Sequence, residues 1–195
     1  MPPRTANPSA RQTELLEASY RYALTHGLAE LSLRPLAQAI GSSTRVLMFL
    51  FESKDGLVRA LLERARQDEL EILAPLREAD HPVGLATGAD RVWAWLAAPA
   101  HRPLLKLWAE AYTRSLVEPD GAWSGFAART VQDWLDVLAL CQPVPERDTE
   151  TGRVRRTAAL AVLRGALLDL LATGDELRVT TAVQYQLTLL RSDGN

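Results

Sequence analysis

The stretch from Ser32 to Leu57, SLRPLAQAIGSSTRVLMFLFESKDGL, constrains the fold more than any other part of the chain. Ser32 is a suitable helix N-cap, Pro35 falls in the first turn where its missing N–H is harmless, and Leu33, Leu36, Ala37 and Ile40 recur at helical spacing. Gly41 stops that helix. Ser43 can cap a second one, whose Val46, Leu47, Leu50 and Phe51 give it a buried side and leave Thr44, Arg45, Met48 and Phe49 nearer the outside. Two short helices joined by a Gly-containing turn make a helix-turn-helix, the unit that lays its second helix in the DNA major groove. Ser53 caps the next helix and Lys54 takes its first position. A cation there opposes the helix dipole, a cost that a phosphate at the same helix end would offset.

Upstream, Arg11 to His26 repeats Leu15, Ala18, Ser19, Tyr22 and Ala23 on one face and stops at Gly27, so three helices precede a long fourth. That fourth helix is expected from Lys54 to about Arg77, with Leu57, Leu61, Ala65, Leu70 and Leu73 inward and Pro75 bending or ending it. Glu78 to Gly84 reads as a loop. Helical patterns follow at Leu85–Ala97, Pro103–Val117, Phe126–Cys141, Arg153–Ala172 and Leu177–Arg191, and period-two alternation is nearly absent, so the class is all-α.

The order THGLAELSLRPLAQAIGSSTRVLMFLFESKDGLVRALLE resembles the amino-terminal DNA-binding domain of the tetracycline-repressor (TetR) family of bacterial regulators. The H-G closing helix 1, the S-L-R-x-L-A of helix 2 and the F-x-S-K-[DE]-x-L between helices 3 and 4 carry the likeness. It implies that Ser43, Thr44, Arg45, Met48, Phe49 and Lys54 meet DNA, and Ser32 and Arg34 are expected to join Lys54 in positioning the DNA backbone. Family members usually place polar aromatic residues and a His or Tyr before that Phe, where they bond phosphates; Met48, Phe49 and Leu50 cannot. More of the backbone anchoring then falls to Arg34, Arg45 and Lys54, or binding leans on apolar contact with thymine methyl groups.

Charge distribution agrees. Met1 to Arg66 holds nine Lys and Arg against six Asp and Glu, and the remainder thirteen against eighteen, a basic head on an acidic body. MPPRTANPSA at residues 1–10 reads as a disordered arm without the apolar core of a secretory leader. The longest apolar run, Thr157 to Thr173, is interrupted by Arg164 and Asp169 and falls short of a bilayer span, so no membrane span is expected and the location is expected to be cytoplasmic. The lone Cys141 excludes an internal disulfide and a cysteine-based metal cluster.

All five tryptophans fall between residues 93 and 134. Large aromatics can simply fill a helical core, but Trp93, Trp108, Tyr112, Trp123, Phe126 and Trp134 also suit a cavity with apolar walls and a few polar handles among Arg91, Arg102, Glu110, Arg114 and Arg129. The resemblance favours a small-molecule pocket, for a partly apolar or aromatic effector. The Arg153–Ala172 helix is apolar nearly all round and must be covered on more than one face. Leu177–Arg191 offers Val179, Val183, Leu187 and Leu190 as a seam, and the two helices meeting their copies would form a four-helix homodimer interface.

The expectation is a residue 11–53 helix-turn-helix DNA-binding domain and a residue 54–195 helical ligand-binding and dimerisation domain, with helix 4 as connector. Its function would be that of a ligand-responsive regulator, a repressor, binding a palindromic operator as a homodimer. His26, His81 and His101 are far apart, and no H-E-x-x-H, G-x-S-x-G or Gly-rich phosphate loop occurs, so no catalytic set, cofactor or metal is expected. The alternative is a helical dimer of the same fold that acts through protein partners without specific operator binding.

Overall fold

A computed structural model describes residues 10–72, 74, 82–118 and 120–192 of the chain. The expected arm, the bend at Pro75, the inward Leu73 and the first part of the loop from Glu78 lie outside the described residues; 82–84 are non-helical as expected. Among the described residues there are ten α-helices and no strand. The head comprises α1 (Ala10–His26), α2 (Leu33–Ala39) and α3 (Thr44–Phe51), and α4 (Lys54–Ile72) leads into the body. The body follows as α5 (Leu85–Ala97), α6 (Arg102–Val117), α7 (Phe126–Cys141), the short α8 (Val144–Arg147), α9 (Glu150–Thr173) and α10 (Glu176–Ser192). Turns of 3₁₀ helix at Pro99–His101 and Gly121–Trp123 join α5 to α6 and α6 to α7.

The head packs on α4 through Leu15, Tyr20, Leu36, Leu47, Phe51, Leu57 and Leu61, all 6% exposed or less. Burying a side chain of this size contributes about 1.5–3 kcal/mol before entropy is counted. Tyr20 is inward where periodicity placed Tyr22, because α4 supplies it with a partner. Its hydroxyl donates to Asp68 Oδ2 at 2.8 Å, while Arg64 ties Asp68 to Glu17 on α1. Tyr22, half-buried, stacks on His26 instead, with ring centroids 3.9 Å apart.

In the body, α5 lies against both α9 and α10. Val179, Val183 and Leu187 are buried within the protomer. The seam expected to face a second copy is thus occupied internally, fastened by Trp93 Nε1 donating to Thr180 Oγ1 at 3.1 Å and Gln184 Nε2 to Asp90 Oδ1 at 2.6 Å. A different face stays open: Val154, Ala158, Ala161, Gly165, Leu168 and Ala172 along α9, with Leu177, Tyr185 and Leu189 on α10. No helix among the described residues is long and apolar enough to cross a membrane.

Candidate nucleic-acid interface and body cavity

Gly41, at φ +65°, turns the chain out of α2 with nothing within 4 Å of where a Cβ would sit. Ser43 caps α3 as expected, its hydroxyl accepting the Val46 N–H at 3.2 Å. Ser32 stands at the N-cap position of α2 but its side chain makes no capping bond, which leaves its exposed hydroxyl free to turn outward. Leu47 and Phe51, four apart, bury one side of α3, and Thr44, Arg45, Met48 and Phe49 are exposed. Val46 is exposed too, against expectation: at the cap end of an eight-residue helix it lies one step off the narrow stripe defined by Leu47 and Phe51. Phe49 is 83% exposed, an unusual position for a phenyl ring.

The corner after α3 is tightly built. Glu52 takes φ +66°, a left-handed conformation that few non-glycine residues adopt. Ser53 caps α4 by accepting the Gly56 N–H at 2.9 Å. A Cβ on Gly56 would lie 2.0 Å from the Phe51 carbonyl oxygen, so only glycine lets α4 start this close to the end of α3. Lys54 is thereby presented at the α4 amino end, beside α3. Among the described residues Arg34, Arg45 and Lys54 have no ion pair or side-chain hydrogen bond, so three cations on this surface are unneutralised.

The body holds two adjoining chambers. The larger, a narrow space of about 20 Å³, lies between α4, α5, α6, α7 and α9 and is walled by Leu96, Leu105, Trp108, Trp134, Leu163 and Leu167, with Glu69, Thr130 and Arg164 as its polar members. The smaller, about 10 Å³, is bounded by Ala65, Glu69, Trp95, Leu104, Trp108 and Phe126. Glu69, Leu105 and Trp108 belong to both.

Three of the six aromatics expected to bind ligand, Trp108, Phe126 and Trp134, line these chambers. Tyr112 stands behind the wall, its hydroxyl accepting from Arg164. Trp93 and Trp123 line neither chamber; the first pins α5 to α10, and the second is buried in the 3₁₀ turn that packs on α4. None of the five expected polar handles lines a chamber either. Arg114 pairs with Glu118, Arg129 donates to the Ser124 carbonyl, Glu110 holds the Leu28 N–H, Arg91 is exposed, and Arg102 is half-buried.

Glu69 was hidden from periodicity, which placed Leu70 on the inner face of α4; Leu70 is only half-buried. Continuing the four-residue step through Leu57, Leu61 and Ala65 arrives at Glu69, which was the available signal. Its carboxylate accepts Trp134 Nε1–H and its other oxygen has no partner among the described residues. Burial pushes the Glu69 acid up to about 8, with the Trp134 N–H pulling down, Asp133 adding a little upward and Arg66 a little downward. At neutral pH it is therefore mainly the uncharged acid.

His26 and His101 each engage a backbone carbonyl and a neighbouring ring, and His81 lies outside the described residues. No cluster that could hold a metal occurs among the described residues.

No family model matches the chain, and no curated protein matches it. Solved structures do. A TetR transcription regulator from Haloarcula marismortui aligns at TM-score 0.75, with 19% identity over 93% of this chain and 96% of that one. The chain has the TetR-family fold. A TetR-like transcriptional regulator from Rhodococcus sp. shares that fold at TM-score 0.63 and 20% identity, covering 97% of this chain and 100% of the other. The multidrug binding protein EbrR in complex with proflavin matches at TM-score 0.63 and 24% identity, over 91% and 99% of the two chains. In TetR-fold terms, α1–α3 are the head, and the chambers sit in the helical body beneath it.

Proposed function

We propose that the protein is a ligand-responsive, DNA-binding transcriptional regulator, a repressor, that binds a palindromic operator as a homodimer. The observation that supports this best is the surface of α3: Thr44, Arg45, Met48 and Phe49 all point outward from a helix anchored by Leu47 and Phe51. Unpaired Arg34 and Lys54 flank it. Arg45 and Thr44 read base edges, Phe49 and Met48 pack on thymine methyl groups, and Ser32, Arg34, Ser43 and Lys54 hold phosphates.

Two copies joined through the open faces of α9 and α10 would place their α3 helices for two half-sites, about 34–36 Å apart on B-DNA. The aromatic-lined spaces of the body support a sensing role for it, as the EbrR complex with proflavin illustrates for another protein of this fold. Ligand reaches the head along two routes: α4 carries both Glu69 and Lys54, and α6 carries both Trp108 and Glu110. A ligand changes operator affinity only if it binds the two states of the dimer unequally.

Selection of bound sequences from a random duplex pool, followed by salt titration, tests the reading. A palindrome whose affinity falls steeply with salt is expected. Arg45→Ala should relax sequence preference and Lys54→Ala weaken all sequences alike. Sequence-blind binding that neither variant alters would overturn it. The second reading, a dimer acting through protein partners, is favoured by the 83% exposure of Phe49, and recovery of no enriched site would turn attention to that ring.

A further inference from the structure

The open side of α3 is chemically lopsided. Along TRVLMFLF only Thr44 and Arg45 carry hydrogen-bonding side chains, while Val46, Met48 and Phe49 are exposed and apolar. No Asn or Gln stands on this helix to bond adenine through N6 and N7 together, and no Asp or Glu to accept from cytosine N4. Glu52, the nearest carboxylate in sequence, follows the last turn, at the end opposite to the one with which recognition helices meet base edges. Thr44 does not separate thymine from cytosine, because a hydroxyl donates to O4 of the one as readily as it accepts from N4 of the other. The difference left for α3 to read between these two bases is the C5-methyl group.

The apolar side chains that would read it are held on a fixed backbone. Gln12 of α1 donates through Nε2 to the Leu50 carbonyl at 2.8 Å, tying the last turn of α3 to the head, while the Ser43 cap secures the first turn. Phe49 stands four residues after Arg45, and Met48 four after Thr44, so the four side chains share one face. One turn of α3 advances about 5.4 Å, between one and two base-pair steps of about 3.4 Å each. With Arg45 on guanine O6 and N7, Phe49 and Met48 reach a pyrimidine edge one or two base pairs away.

We propose that α3 reads the C5-methyl group itself, so that 5-methylcytosine satisfies the same contact as thymine and cytosine methylation switches operator binding on. This deepens the DNA-binding reading and rests on it. A T·A pair and a methylated C·G pair share the methyl group that Phe49 and Met48 pack against. They differ at O4 against N4, which this helix does not test. An operator with thymine at the contacted step is a site at all times, and one with cytosine there becomes a site only when methylated.

Fluorescence anisotropy with the full chain and an operator recovered by selection tests this. Replacing each thymine in turn by uracil removes one methyl group and keeps the pairing with adenine. At the contacted position the expected loss is about fourfold for one half-site and about tenfold to twentyfold for both. A C·G pair there should bind as weakly as uracil, and 5-methylcytosine opposite guanine should restore the affinity of T·A. The double variant Met48→Ala, Phe49→Ala, truncated at exposed positions, should keep the parent's Tm and bind thymine and uracil operators alike. A uracil scan with no sensitive position, a C·G operator as tight as its methylated form, or rescue by thymine alone overturns the proposal. So does undiminished discrimination by the folded double variant. Each of these leaves specific operator binding standing, whereas recovery of no enriched operator removes the regulator reading and the methyl switch with it.

Discussion

Glu110 of α6 accepts the backbone N–H of Leu28 at 2.9 Å, joining the helical body to the turn between the first two helices of the head. Leu28 is 1% exposed, so this N–H has no route to water. Gly27 makes the approach possible: it takes φ +78°, and a Cβ there would stand 3.0 Å from the same Glu110 oxygen. Trp108, two residues before Glu110, lines both chambers.

Glu110→Ala should therefore orphan a buried donor, at a cost of about 1–3 kcal/mol. Thermal unfolding would report a lower Tm. A second readout separates coupling from stability: ligand affinity is expected to persist while the effect of ligand on operator affinity shrinks. Undiminished coupling in a folded variant would show that α6 is not the route.

Gly56→Ala is predicted to be severe for a residue on a helix surface. Its Cβ would collide with the Phe51 carbonyl oxygen at 2.0 Å, and both atoms are fixed by backbone. The corner has to open, moving Lys54 away from α3. Loss of operator binding and a drop in Tm are expected together, measured by gel shift and calorimetry. A normally stable, normally binding Gly56→Ala protein would refute the account of this corner.

Much of this corner is written in the residues. Ser43, Gly41, Ser53 and the apolar pair Leu47 and Phe51 each carry a local signal, because capping and helix termination are decided within a few residues. Val46 and Tyr20 were misplaced for the opposite reason: which side of a helix is covered depends on distant partners, such as Asp68 for Tyr20. The chambers were half legible. Aromatic enrichment pointed to Trp108, Phe126 and Trp134 but equally to Trp93 and Trp123, which fill other parts of the core. Glu69 was obscured because a carboxylate on an apolar stripe looks like an interruption of the pattern.

Gly165 tests the dimer face. Nothing lies within 4 Å of a Cβ at this position, so a longer side chain meets no obstacle inside the protomer. Gly165→Arg should leave the fold intact and convert a dimer to monomers in sedimentation analysis, with operator affinity falling accordingly. Retained dimerisation would move the interface off the open face of α9.

Glu69 gives the unliganded protein a pH signature. Its acid is held at about 8 when folded and lies near 4.5 otherwise, so between these values the folded state binds more protons than the unfolded one. That contribution is full below the lower value and is lost as pH rises through the upper. Unfolding measurements should show stability declining from about pH 5 towards pH 8 by up to a few kcal/mol, and a flatter profile in Glu69→Gln. An identical decline in the variant would assign the titration to other groups.

The bridge between Arg66 of α4 and Asp133 of α7, made through two nitrogens at 2.6 and 2.8 Å, resists any slide of one helix along the other. Were α4 to pivot here, the bridge would be the fulcrum. Lys54 lies twelve residues away, an arm of about 18 Å at a helical rise of about 1.5 Å per residue. Tilting that arm by only about 10° would carry the Lys54 end some ~3 Å, enough to take a charge-assisted hydrogen bond out of reach. Leverage of this kind needs no large rearrangement in the chambers, only a small change of angle close to the pivot.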